Sequence, residues 1–299
     1  MAEQLRDPGL GRRAGDRELR LGSGRLLTDQ GVTVIEVARA NRQVRRRFGK
    51  TDVIDAIAAA RAVQSGEATG TPKSHDGPVE SLRVLKAVHR SVNKARTQAL
   101  NQICQLLVTA PEGLRAQLGD LKCSDLLATC AALRVRADDD SLPAMTRLAL
   151  RELAQRIAHL DAQLAALTTR LARITTAVAP DLVAIKGVGP DVASTLLVTA
   201  GDNPQRLRHE AAFAALCGSN AIPASSGKTT RHRLNRGRDR HANSALWRVV
   251  VVRMRRDQRT RDYVERRIAE GKSKSEIMRC PKRYLAREIC QALPPTAPS

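Results

Sequence analysis

The chain has 299 residues, with 51 Lys and Arg against 30 Asp and Glu and a net charge of +21. This is a size for two or three domains and a charge that asks for a polyanion, nucleic acid first. Aromatics make up only 2% of the residues, which disfavours base-stacking platforms and leaves phosphate contacts to dominate binding.

Residues 1–25 mix Gly, Arg and acids without apolar period and read as a disordered leader. Gly31–Val37 (GVTVIEV) is short and β-branched, the pattern of a mostly buried strand. A basic stretch from Arg39 to Lys50 follows, including Arg45, Arg46 and Arg47. The run TDVIDAIAAARAVQSG then predicts a helix, with Thr51 as N-cap and Gly66 as its stop. After a polar loop, a long helix is expected from Glu80 to about Ala110, with Leu85, Val92, Ala99 and Leu106 at every seventh position and Pro111 as its end. Leu150, Leu153, Ile157, Leu160, Leu164, Leu167, Leu171, Ile174 and Val178 alternate steps of three and four, a heptad seam. It suits a coiled coil with the earlier helix or with a second copy of the chain, or an ordinary amphipathic helix on a core. A separate unit is expected from Pro180 onward, where glycine hairpins replace the heptads.

The six cysteines (Cys104, Cys123, Cys130, Cys217, Cys280, Cys290) are scattered without metal-ligand spacing and read as reduced thiols. Met1–Leu27 lacks a signal-peptide core and no apolar run has membrane length, so the expected location is the cytoplasm.

Three segments hold residue types suited to chemistry. In LVAIKGVGPDVASTLLV, Gly187, Gly189 and Pro190 shape a tight hairpin between helices. Exposed backbone N–H groups there can grip a phosphate beside Lys186, as in a helix-hairpin-helix; a plain helical corner is the other reading. In SSGKTTRHRLNRGRDRHAN, a serine turn precedes Lys228, Arg231, Arg233, Arg236, Arg238 and Arg240. Cations so placed stabilise charge on a phosphate under attack, or simply form a solvated loop that neutralises the backbone of a nucleic acid. Asp52 and Asp55, three apart on a predicted helix, can share a divalent ion, Mg²⁺ most naturally, or merely favour the positive end of the helix dipole.

The block EVARANRQVRRRFGKTDVIDAIAAARAV (Glu36 to Val63) and the later block from LVAIKGVGPDVASTLLVTAGD to SSGKTTRHRLNRGRDRHANSALWRVV resemble the DEDD transposases of the insertion-sequence one-hundred-ten family. The resemblance covers about Gly31 to Leu293. It implies a mainly α chain: a leader at 1–25, part of a RuvC-like, RNase H-fold α/β metal domain at 26–79, long coiled-coil helices at 80–179, and a helical transposase domain with a helix-hairpin-helix at 180–299. In that family four acids hold Mg²⁺ and a serine attacks a DNA phosphodiester to give a phosphoserine intermediate. By position, Asp52 and Asp55 match the last two acids and Ser226 matches the nucleophile, with Ser225 as fallback.

The resemblance also implies a bacterial, nucleoid-associated protein that works as an oligomer with a structured guide RNA from the element. The sequence departs from the family where the first two acids belong. No segment like V-E-G-T-G-S-Y precedes GVTVIEV, and residues 1–25 have the character of out-of-frame translation. The expectation is a truncated, catalytically impaired transposase. The competing function is a non-catalytic, basic, coiled-coil protein that binds nucleic acid.

Overall fold

A computed structural model describes residues 24, 26–37, 51–203, 207, 209–223, 226–227, 232–235 and 238–294, with the backbone alone at 221, 223 and 232–234. The leader, the cations Arg45, Arg46 and Arg47, and Ser225, Lys228, Arg231 and Arg236 lie outside the described residues. The chain divides into two compact units: 1–75 with 203–208, and 76–202 with 209–299.

In the first unit, helix α1 runs Asp52–Gln64. Thr51 caps it as the sequence suggests, its hydroxyl accepting from the Ile54 N–H at 3.3 Å. The alanine-rich turns propagate the helix, yet it buries none of its residues, and Val53 and Ile57 are 68% and 47% exposed. Gly31–Val37, expected as a strand, forms no ladder. It makes one antiparallel bridge, the Glu36 N–H donating to the Gly70 carbonyl at 2.7 Å. A β-branched run becomes a strand only beside a partner strand, and the described residues of this unit supply none. Asn203 ties the following loop to itself, donating to the Pro72 carbonyl at 2.7 Å.

The second unit is built on two long helices, α2 (Pro78–Thr109) and α5 (Leu142–Val178). Pro78 sits in the first turn of α2, where its missing N–H costs nothing, and Asp202 accepts from the Val79 and Glu80 N–H groups at 2.8 and 3.1 Å. Ser141 caps α5 through the Ala144 N–H.

The helices lie antiparallel, since Arg96 bonds Asp161 and Ile103 of α2 shares a core with Leu150 and Ile157 of α5. The heptad seam of α5 is thereby occupied within the chain: Leu150, Ile157, Leu160 and Leu171 are buried and the other seam residues half-buried. Each fully buried Leu or Ile contributes roughly 1.5–3 kcal/mol of transfer free energy. Helices α3 (Glu112–Leu118) and α4 (Cys123–Ala131) close one end of the pair with Leu114, Leu118, Leu126 and Cys130.

At the other end come α6 (Pro180–Ala184), a turn, and α7 (Pro190–Ala200), which packs against both long helices. Then follow α8 (Glu210–Leu216), a ribbon of β1 (Ala221–Pro223) and β2 (His232–Leu234), and α9 (Arg240–Arg256). The chain ends in α10 (Gln258–Ala269), α11 (Lys274–Ile277) and α12 (Arg279–Gln291).

Helix α9 is the centre of this part, burying Ala242, Ala245, Leu246, Val249 and Val250 against α7 and α12. The fold is mainly helical, and no helix among the described residues is long and apolar enough to cross a membrane.

Candidate functional site

The serine segment hangs on a pinned root. Strands β1 and β2 pair antiparallel, Ala221 opposite Leu234 and Pro223 opposite His232. Below them Asn235 donates to the Asn220 side chain at 2.8 Å. Asn243 on α9 donates to the Cys217 and Gly218 carbonyls at 2.8 and 3.0 Å.

Asn243 is itself held by Lys282 of α12, whose ammonium donates to its side-chain oxygen at 2.8 Å. Burial pushes the Lys282 ammonium below its usual range, so this cation acts as a hydrogen-bonding strut rather than a surface charge. Beyond the root, Ser226 is exposed and Gly227 adopts φ 56°, a left-handed turn with open space around it.

The cations expected around that serine are placed only in part. Arg238 and Arg240 are exposed where α9 begins, and Arg233 is seen as backbone in β2. Asp239 between them caps α9, accepting from the His241 and Ala242 N–H groups at 2.8 and 3.1 Å, and takes the Thr199 hydroxyl at 3.1 Å. One carboxylate therefore fixes both the start of α9 and its distance from α7.

The hairpin between α6 and α7 has the geometry its glycines suggest. Gly187 sits at φ 92°, a conformation that favours glycine, and a Cβ there would press on the Val249 side chain at 3.2 Å. Gly189 is the N-cap of α7. Lys186, expected to reach phosphate, is 56% exposed and pairs with Asp257 at 3.1 Å. Asp257 also caps α10, and the Thr260 hydroxyl, followed by Lys186, draws its carboxyl down to about 2. The Lys186 carbonyl accepts from Arg253 at 2.9 Å, and Arg253 grips Glu288 through two bonds of 2.8 and 2.9 Å.

Sequence reasoning missed a polar cluster under this hairpin. Lys86 and His89 of α2 are 3% and 7% exposed. Lys86 bonds the Asp191 carboxylate at the start of α7, and Arg248 of α9 takes its other oxygen at 2.5 Å. Burial pushes the Asp191 carboxyl up, but hydrogen bonds and charge from Lys86 and Arg248 outweigh it and hold it below the usual range. The available signal was the pair of polar residues on the apolar face, between Leu82 and Val92.

Burial, helped by the Lys86 charge, holds the His89 imidazole below its usual value against the pull of Asp191, with Arg90 and Arg248 adding to the lowering. The folded state thus favours neutral His89, while the unfolded chain takes up a proton below about pH 6.5. Stability from this group is present above that pH and is lost as pH falls below it. Thermal unfolding at pH 7.5 and 5.5 should show a lower midpoint in acid, and His89→Gln should shrink that difference; an equal drop in the variant excludes His89 as its source.

Asp52 and Asp55 lie in the first turn of α1, Asp52 exposed and Asp55 half-buried. They belong to the first unit and Ser226 to the second. Among the described residues no three His, Cys, Asp or Glu side chains converge to hold a metal ion. Mg²⁺ completes its octahedron with waters and substrate phosphates beside one or two carboxylates, so Asp52 and Asp55 would supply part of such a site, and no metal-dependent step is assigned to them.

Residues 179–265, spanning the hairpin, the serine ribbon and most of α10, match the Transposase IS116/IS110/IS902 family. Residues 25–110, spanning α1 and α2, match a second family described as Transposase and named for the DEDD enzymes of IS110. The chain belongs to the IS110 family of transposases. No curated protein matches it. As an IS110-family transposase it is assigned to DNA transposition, with DNA as its partner. Of the two matches, the first includes Ser226, Lys186, Gly187 and Gly189, and the second includes Asp52 and Asp55.

Proposed function

We propose that this transposase cuts and joins DNA through Ser226, with Asp52 and Asp55 as part of a carboxylate set for Mg²⁺. The observation that carries the reading is the serine itself: exposed beside a left-handed glycine, on a ribbon whose root is pinned by Asn243 and Lys282, within the matched family segment. Serine is a weak nucleophile at its free pKa, so it needs both placement and nearby positive charge. Arg238 and Arg240 supply charge near the ribbon, and Arg231, Arg233, Arg236 and Lys228 add to it in sequence. Gly187 and Gly189 contribute backbone N–H groups to the phosphate, with Arg45, Arg46 and Arg47 as a further basic contact.

The resemblance assigns two of four acids to Asp52 and Asp55, and half a carboxylate set stabilises far less transition-state charge. The proposal is therefore of a DNA- and guide-RNA-binding transposase that oligomerises on the nucleoid and is impaired in catalysis. The test uses DNA with a bridging sulfur at the scissile phosphate, whose thiolate leaves without electrophilic help. The full chain should form a small amount of a denaturant-resistant adduct on this DNA and none on ordinary DNA. Absence of adduct on both removes the serine reading, and robust strand exchange on supercoiled plasmid with Mg²⁺ and element RNA removes the impairment.

The competing reading, a binding protein without chemistry, shares one expectation. Many cations displace condensed counterions, so log K should fall with log salt at a slope of about −5 or steeper, following roughly −0.9 per phosphate neutralised. A flat response in a filter-binding titration rules out phosphate-dominated contact.

A further inference from the structure

Beyond the serine ribbon, the second unit holds a cleft of about 890 Å³ that the proposed reaction does not use. Its two walls follow from helical spacing. On α10, Arg259, Asp262, Tyr263 and Arg266 recur at steps of three and four, and on α12, Pro281, Tyr284, Leu285 and Glu288 do the same. The back is α9, with buried Val250 as an apolar floor alongside buried Leu285.

Each wall presents one tyrosine, and the two make up nearly half of the few aromatics in the chain. Tyr263 is a fixed wall: Arg266 and Arg267 lie 5.8 and 5.9 Å from its ring, and burial, then a hydrogen bond with Cys280, raise its hydroxyl above the usual range. Tyr284 is 68% exposed, a large apolar plane left facing solvent at the mouth. An exposed aromatic face of this kind is available to stack against a flat partner.

The charges in the cleft divide cleanly. Asp257 is taken by Lys186 and Glu288 by Arg253. The remaining charges are Arg259 and Arg266 against Asp262, a positive balance that suits a phosphate-bearing ligand. A cleft that combines an apolar floor, an aromatic on each side and cations along one wall matches a heteroaromatic ring joined to phosphate.

We infer that this cleft takes up an unpaired nucleobase of the bound nucleic acid, stacked on Tyr284 beside the Tyr263 wall, with its flanking phosphates toward Arg259 and Arg266. Stacking of this kind tolerates any base, because every base has a π-face. The inference holds whether or not Ser226 is the nucleophile.

The experiment uses the full chain and one oligonucleotide sequence carrying a single 2-aminopurine, either in a bulge or fully paired in a duplex. Binding of the bulged form should change 2-aminopurine fluorescence, and Tyr284→Ala should weaken that binding about tenfold and remove the change. Tyr284→Phe should keep both, and affinity for the fully paired duplex should be the same in all three proteins. Equal loss for bulge and duplex, loss in Tyr284→Phe, or no loss in Tyr284→Ala overturns the inference. A comparable signal from 2-aminopurine mononucleotide at the oligonucleotide's concentration overturns it too, in favour of a free-nucleotide pocket.

Discussion

Ser226→Ala should abolish the proposed covalent adduct on sulfur-bridged DNA and leave DNA affinity unchanged. In the step concerned, the serine oxygen forms a bond to phosphorus as the bridging P–S bond breaks. The serine proton passes to solvent, and the thiolate stays on the released DNA end. Removing the oxygen removes the atom proposed to form the bond, so the adduct should fall below detection on denaturing gels. Ser226 is exposed and beside a glycine turn with open space, so the methyl of alanine disturbs nothing packed. Affinity is carried by cations elsewhere and by backbone, which is why a gel-shift measurement should not move. Ser225→Ala keeps the adduct; if instead it alone removes it, the nucleophile is the preceding serine.

Lys86→Ala has the largest expected effect on stability. The lysine is almost wholly buried on the apolar face of α2, and its ammonium bonds both the Asp191 carboxylate and, at 3.3 Å, the Asp191 carbonyl. Breaking a buried pair by removing one partner typically costs about 3–5 kcal/mol, because the other charge stays behind. Arg248 remains on Asp191 and that side chain is 30% exposed, which places the expected loss near the lower figure, about 3 kcal/mol. At roughly 2–4 °C per kcal/mol for a unit of this size, the unfolding midpoint should drop by about 6–12 °C in a calorimetric scan. Arg136→Ala is the contrast: its pair with Asp138 is 82% and 75% exposed, so its loss should stay within about 0.5 kcal/mol. Similar midpoints for the two variants would remove the buried cluster as the anchor of α7.

Local rules carried α1 and α2 almost to the residue. Thr51 caps the first as its hydroxyl chemistry requires, and Pro111 stops the second because it cannot continue a helix. The period of the α5 seam gave the buried stripe but left its partner open, since a heptad looks the same to an internal helix and to a second copy. Only the antiparallel packing on α2 answers that question.

Long-range chemistry was less legible. Lys186 reads in sequence as a phosphate contact, yet Asp257 lies 71 residues away and reaches it only because α9 folds back over the hairpin. Gly31–Val37 shows the converse. Its composition is that of a strand, but β-structure is a property of pairs, and only Glu36 finds a bridge partner. By itself the sequence determined the long helices, the Thr51 cap, the basic character and the family, because these depend on neighbours within a few turns or on composition. The tertiary structure decided which charges neutralise one another, which polar groups are buried, and that the faces of α10 and α12 enclose a tyrosine-lined cleft. Those outcomes depend on which surfaces meet after the chain has folded, and spacing along the chain does not encode them.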